Sequence, residues 1–302
     1  MLSPSHWLVL RKLLKQPLSI AQLARILQRS PSWTSEIVKK LEQEGFVLKE
    51  KKGITVLVAL AKTPPAIALQ RLLVKKQAIP FEKYAVGKSL LVLFSLIHES
   101  KSVQELSWTC NLNQQMVHHY LRRLIRYFVL GRDKKRYVLP HHSFPELWDF
   151  LQAYRHFSPV PGSVVWKLGD EVLFETRHDV DAQPTGFTAF SVQGVRMHTV
   201  KGTYYLPKRK LSVAEIGIHA LATLDDPRSL ALVIVFFLKN KLTPVKMELL
   251  AAKYDCRERL RDLFIVIRST NGRIVTKSLP AITRRELDET LKMYGVYYVQ
   301  TG

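Results

Sequence analysis

Apolar positions recur along the chain with two periods, and the alternation between them lays out the elements. Ile20, Leu23, Ala24 and Leu27 fall at the i, i+3, i+4, i+7 spacing of one buried helix face. Arg29-Ser30-Pro31 interrupts that pattern. Ser30 can cap a new helix, and Pro31 suits its first turn, where the missing N–H has no intrahelical partner. The new helix buries Thr34, Ile37, Val38 and Leu41, and Gly45 closes it. Phe46-Val47-Leu48 reads as a strand, Lys49 to Gly53 as a basic turn, and Ile54 to Leu60 as the returning strand. Pro4-Ser5 opens an earlier helix whose wide apolar face is Trp7, Leu8, Leu10, Leu13 and Leu14.

The same order returns in residues 85–140. Val86 to Glu99 reads as a packing helix. Ser102 caps a helix with Glu105 three residues on, and Asn111-Leu112-Asn113 forms the turn. Asn113 caps a further helix with Val117, Tyr120, Leu121 and Leu124 inward. Phe128-Val129-Leu130 is the outgoing strand, Gly131 to Arg136 a basic loop, and Tyr137-Val138-Leu139 the return. Overlaying the two places Asn113 on Ser30, Val117 on Thr34, Tyr120 on Ile37 and Leu124 on Leu41.

Helix, turn, helix and basic hairpin make the winged helix-turn-helix plan. The segment SPSWTSEIVKKLEQEGFV resembles winged-helix DNA-binding domains of the MarR kind. The outward residues of the first candidate recognition helix are Ser32, Trp33, Ser35, Glu36, Lys39 and Lys40, with Lys51 and Lys52 in its hairpin. Those of the second are Gln114, Gln115, Met116, His118, His119, Arg122 and Arg123, with Arg132, Lys134, Lys135 and Arg136 in its hairpin. Glutamine and arginine suit paired hydrogen bonds to adenine and guanine edges, and lysine suits phosphate. Trp33 fits either stacking or burial. Glu36, Glu42 and Glu44 dilute the charge of the first unit, which makes it the weaker reader.

The fold expected is α+β: two tandem winged helix-turn-helix domains and then a mixed α/β domain. The boundaries are 1–62, a linker helix over 63–84, 85–140, a junction helix over 141–162 ended by Pro159-Val160-Pro161-Gly162, and 163–302. In the last part, Ser163–Leu168 and Glu171–Thr176 read as a hairpin. Thr185–Val195 reads as a short helix, Thr203–Leu206 as a strand, Leu211–Ala222 as a helix capped by Ser212, and Leu230–Leu238 as a buried helix or strand. Residues 242–275 read as a helix pair, either a degenerate third helix-turn-helix or, the preferred reading, a pair with Arg257, Arg259 and Arg261 on a plain solvated face, and Tyr294–Val299 as an edge strand. The succession TGFTAFSVQGV, TYYL and LSVAEIGIHALA resembles the C-terminal domain of AbiEi-type antitoxins. That resemblance implies an autoregulating repressor with a toxin or other protein partner. Tandem winged units in this chain depart from the single one of that family.

Charge strengthens the nucleic-acid reading. The 302 residues hold 46 Lys+Arg against 25 Asp+Glu, a formal charge of +21, with pI ≈ 10.0. Residues 1–150 hold 24 basic and 10 acidic residues, so +14 of that charge sits with the two hairpins. Such a balance suits a polyanion, here double-stranded DNA. The two cysteines, Cys110 and Cys256, imply no disulfide framework and a reducing, cytoplasmic setting. The N-terminus has no signal-peptide character, and no apolar run is long enough for a membrane span. His118, His119, His141, His142 and Cys110 fit no closed zinc spacing.

The rival chemistry is Asp179-Val180-Asp181, a carboxylate pair that could hold a divalent ion in a nuclease or nucleotidyltransferase. A third carboxylate is not placed convincingly, and the polar turn HDVDAQP explains the pair equally well. No phosphate-binding loop, dinucleotide fingerprint or nucleophile elbow is present. The expectation is therefore a sequence-specific transcription regulator, not an enzyme, without metal or cofactor, able to form a homodimer. A replication-initiator or architectural DNA binder is a further alternative.

Overall fold

The computed structural model describes residues 1–297 apart from Ile54, Phe128, His198 and Asn271, and describes Lys52 by its backbone alone. It separates into two units, one from Met1 to Pro159 and one from Val160 onward.

The first unit opens with α1 (Pro4–Leu13), β1 (Leu18–Ser19), α2 (Ile20–Leu27), α3 (Pro31–Gln43), β2 (Val47–Lys52) and β3 (Thr55–Leu60). Ser19 and Gln22 form a capping box on α2, and the Ser30 hydroxyl accepts the Trp33 amide to start α3. Thr34, Ile37, Val38 and Leu41 are buried, and Gly45 leaves α3 at φ +77°. The stretch Lys49–Lys52, expected as a turn, makes up the last four residues of β2. Lys52 pairs with Thr55, and the turn is at Gly53; Ile54 lies outside the described residues. β1 was not expected. It pairs with β3 and gives a sheet of order β1-β3-β2.

Two helices follow, α4 (Pro64–Lys75) and α5 (Phe81–Tyr84). They are not a free linker. Pro65, Ala66, Leu69, Leu72 and Leu73 of α4 are buried, as are Phe81 and Tyr84. The next elements are α6 (Gly87–Ser95), β4 (Lys101–Ser102), α7 (Val103–Thr109), α8 (Gln114–Arg126), β5 (Gly131–Asp133), β6 (Arg136–Val138) and α9 (Pro145–Arg155). Ser102 and Glu105 form the expected capping box, and the Asn113 side chain accepts the Met116 amide. The strand order β4-β6-β5 repeats that of the first sheet, and β4, like β1, ends on the serine that caps the next helix. The outgoing strand begins later than expected. Val129 and Leu130 pair with no strand and Phe128 lies outside the described residues, so Asp133↔Arg136 closes a tight turn at Lys134-Lys135. Tyr120 is half-buried; the inward positions are Val117, Leu121 and Leu124, which match Thr34, Val38 and Leu41.

The second unit contains a four-stranded antiparallel sheet of order β7-β8-β10-β9, built from β7 (Ser163–Leu168), β8 (Glu171–Thr176), β9 (Gln183–Pro184) and β10 (Gly202–Leu206). Between β9 and β10, the expected single helix is split into α10 (Gly186–Ala189) and a 3-10 turn, Ser191–Gln193, closed by Gly194. Then come α11 (Val213–Thr223), α12 (Pro227–Lys239), α13 (Pro244–Lys253) and α14 (Arg257–Arg268). The pairing of β11 (Arg273–Ile274) with β12 (Ile282–Thr283) leads into α15 (Arg284–Met293). Leu230–Leu238 is thus helical. The expected C-terminal strand is absent over Tyr294–Tyr297, and Tyr298 and Val299 lie outside the described residues.

A buried polar cluster lies beneath this sheet. His219, fully buried, shares a 2.7 Å hydrogen bond with the Thr185 hydroxyl and stacks between Tyr205 and the edge of Tyr254. Burial holds its imidazole down at about 3. Among the described residues, no helix is long and apolar enough to cross a membrane.

The turn between α12 and α13 repeats a geometry seen twice in the first unit. Gln28, Asn111 and Lys241 all sit in the left-handed region. Each donates its amide to the carbonyl three residues back, and the next amide reaches five back: Arg29 to Ala24, Leu112 to Ser107 and Leu242 to Phe237. An extended N-cap follows in each, Ser30, Asn113 and Thr243. The helix pair resembling a helix-turn-helix is therefore α12–α13. At the α13–α14 junction, Cys256 follows left-handed Asp255 directly as the N-cap, which is one residue tighter.

Candidate nucleic-acid interface

The side chains of α3 and α8 divide by the helical period. On α3, Ser32, Glu36, Lys39 and Lys40 are exposed, while Ser35 is half-buried. Trp33 is half-buried too, with the Arg29 guanidinium 5.5 Å above its ring. It lines a shallow depression with Ala21, Ala24, Arg25, Gln28 and Pro31, so it shields the turn and carries a cation over its ring. Arg25 and Arg29 were missed as candidates because they precede the recognition helix. Their only sequence signal was a basic residue on either side of the turn.

On α8, Gln114, Gln115, Met116, His118, His119 and Arg122 are exposed and Arg123 is half-buried. Gln115, His118, His119, Arg122, Arg123, Arg126 and Tyr127 line one concave surface. Arg126 extends the set by one further turn at i+4 from Arg122, a spacing that could have been read from the sequence. This face has no acidic residue. Its two glutamines present donors and acceptors, and its arginines can fork onto guanine or phosphate.

The hairpins differ in reach. From Lys49 to Val56 the described side chains of the first hairpin are exposed or nearly so on both faces, so the hairpin stands away from the body. Lys49 pairs with Glu42 at 2.7 Å, leaving Lys51 at the tip; the side chain of Lys52 lies outside the described residues. In the second, Arg132, Lys134 and Lys135 are exposed. Arg136 is a correction. Its guanidinium is engaged by Glu105 at 3.0 Å and by the Ser100 hydroxyl at 3.1 Å, so it ties β6 to α7 and is not offered to phosphate.

The MarR family model matches residues 2–52. The match runs from α1 through β2, so the N-terminal region is a winged helix-turn-helix of the DNA-binding kind. No curated protein and no solved structure matches the chain. The family match covers none of 163–302.

The remaining candidates fall away from a reading face. α13 occupies the place of α3 and α8 in its own helix pair, with Met247, Ala251 and Tyr254 at the inward positions. Its outward face is Val245, Lys246 and Leu249, and Lys253 is drawn into a 2.6 Å ion pair with Glu171. The arginines of α14 are not a solvated edge. Arg257 is buried against Glu248, and Arg259 donates to the carbonyls of Leu221, Ala222 and Leu224; Arg261 and, at the helix end, Arg268 are exposed. Asp179 and Asp181 lie on an exposed loop, and Asp181 pairs with Lys208. Among the described residues, no three His, Cys, Asp or Glu side chains gather as a metal site would require.

Proposed function

We propose that this protein is a cytoplasmic, sequence-specific regulator of transcription that binds double-stranded DNA through two winged helix-turn-helix modules in its first unit. The observation that carries this is the acid-free face of α8, held in the same helix-turn-helix and strand order as the MarR-matched module. In this reading α3 and α8 enter major grooves. Gln114, Gln115, Arg122 and Arg123 read base edges, and Lys39, Lys40, Lys51, Arg132, Lys134 and Lys135 neutralise phosphates. The second unit serves assembly or signal reception. Its antitoxin-like motif order supports a protein partner, and the chain acts without a catalytic step.

Titrating labelled duplex with the full chain at rising salt tests the proposal. Log affinity should fall steeply with log salt, because neutralised phosphates release counterions. A flat response would remove nucleic acid as the ligand. Discrete protection in a footprint separates a regulator from an architectural coat.

A further inference from the structure

The two recognition helices are not joined by a flexible tether, and that constrains the DNA they can share. One aromatic run goes from Trp7 of α1 through Phe81 and Tyr84 of α5 to Tyr127, the residue that ends α8; the ring centroids are 5.3, 5.6 and 4.8 Å apart in turn. A second goes from Phe46, just past the end of α3, to Tyr154 of α9 at 4.9 Å and on to Phe94 of α6 at 5.3 Å. Polar contacts fasten the same seams. The Trp7 indole donates to the Ala85 carbonyl at 2.8 Å, and the Gly87 amide to the Leu2 carbonyl at 3.0 Å. The Tyr154 hydroxyl donates to Glu44, the C-cap of α3, which also pairs with the N-terminal ammonium at 2.7 Å. Gly45 lies so close to the Phe157 ring that a Cβ there would sit 2.3 Å from it. The C-terminal ends of both reading helices are therefore anchored in one core, and packed cores do not deform continuously.

We propose that the first unit is a single rigid reader, so that its DNA target is one composite, non-palindromic site made of two unlike half-sites at one fixed spacing. This rests on the reading of α8 as a second DNA-contacting helix. The half-sites differ because the faces differ: α3 presents Ser32, Glu36 and Lys39, whereas α8 presents Gln115, His118 and Arg122. A single short motif repeated as a palindrome would match one face and misfit the other.

The test is selection of bound duplexes from a random library by the full chain, followed by spacing variants of the winning site. The expected result is one asymmetric motif with an invariant gap. Inserting five or ten base pairs in the gap should each cost about 30-fold or more in affinity, since a rigid body then engages one half alone. Gln115→Ala with Arg122→Ala should erase the base preference of one half, and Ser32→Ala with Ser35→Ala that of the other. A palindrome of one short half-site, tolerance of both insertions, or base preferences that all vanish with the α8 changes would each overturn the proposal. Enrichment of no duplex at all would instead overturn the DNA-binding role, a distinct outcome.

Discussion

Helices α3 and α8 stand at matching places in two copies of one plan, yet their surfaces have diverged in opposite directions. The inward residues are interchangeable in kind: Thr34, Val38 and Leu41 against Val117, Leu121 and Leu124. Outward, α3 mixes lysine with Glu36 and Glu42, and its projecting hairpin adds Glu50. α8 carries arginine, histidine and glutamine without an acid, beside a short hairpin in which one arginine has become a strut. Burial constrains volume and polarity at four positions of α3 and three of α8. Nothing in the fold constrains the solvent face, so that is where two copies can acquire different tasks. In the proposed reading, the lysine-bearing, long-winged module relies more on backbone contact and reads bases through its serines, and the arginine and glutamine module relies on base edges.

The largest expected effect bears directly on that division. Gln115→Ala with Arg122→Ala should cost about 2–6 kcal/mol on the selected duplex and little on a scrambled one, two bidentate contacts being lost. Lys39→Ala with Lys40→Ala should weaken both duplexes alike and reduce the salt slope by about two. Equal losses on both duplexes for the α8 pair would erase the distinction between reader and clamp.

Next, Phe150→Ala should destabilise the first unit by about 3–5 kcal/mol, because it empties a site touching Trp7, Phe46 and Tyr154. Both modules should melt in one shifted transition. Two separate transitions, with only one moved, would mean that the modules fold independently.

Acid should weaken the shared core through its first helix, α1. The Ser3 amide donates to Nδ1 of buried His6 at 2.8 Å, and burial holds that imidazole down at about 4. The unfolded chain binds this proton near the ordinary value of about 6.5, so the stability is fully present above that pH and declines as pH falls towards 4. The loss should reach about 3 kcal/mol at the lower end. His6→Gln should flatten the decline in denaturant titrations between pH 6.5 and 4; an unchanged slope would refute the assignment. The first helix of the second module, α6, has no side-chain cap at its start.

Smaller still, Glu36→Lys should tighten binding to any duplex several-fold and steepen the salt slope by about one, bringing α3 closer to α8 in charge. The smallest expected effect is none: Asp179→Ala with Asp181→Ala should leave DNA binding unchanged. A magnesium-dependent cleavage activity lost in that double variant would place catalysis in the second unit after all.

Much of this was legible in the sequence because it is local. Caps at Ser30, Ser102, Asn113 and Ser212, the three-and-four spacing of the buried residues, and Gly45 as a terminator each depend on neighbours within one or two turns. The same holds for the outward set of each helix, since orientation within a helix follows its period. What the tertiary structure alone decided was long-range. β1 and β4 are two-residue strands, too short to carry a period, and exist because β3 and β6 present edges to them. Residues 63–84 look like a spacer until α9, some seventy residues on, covers α4. Arg136 reads as one more wing cation until Glu105 and Ser100 claim it, and Arg259 as a solvated charge until the end of α11 offers three carbonyls. A charged side chain shows its type in the sequence, but its partner is set by which distant segment the fold brings within hydrogen-bond reach.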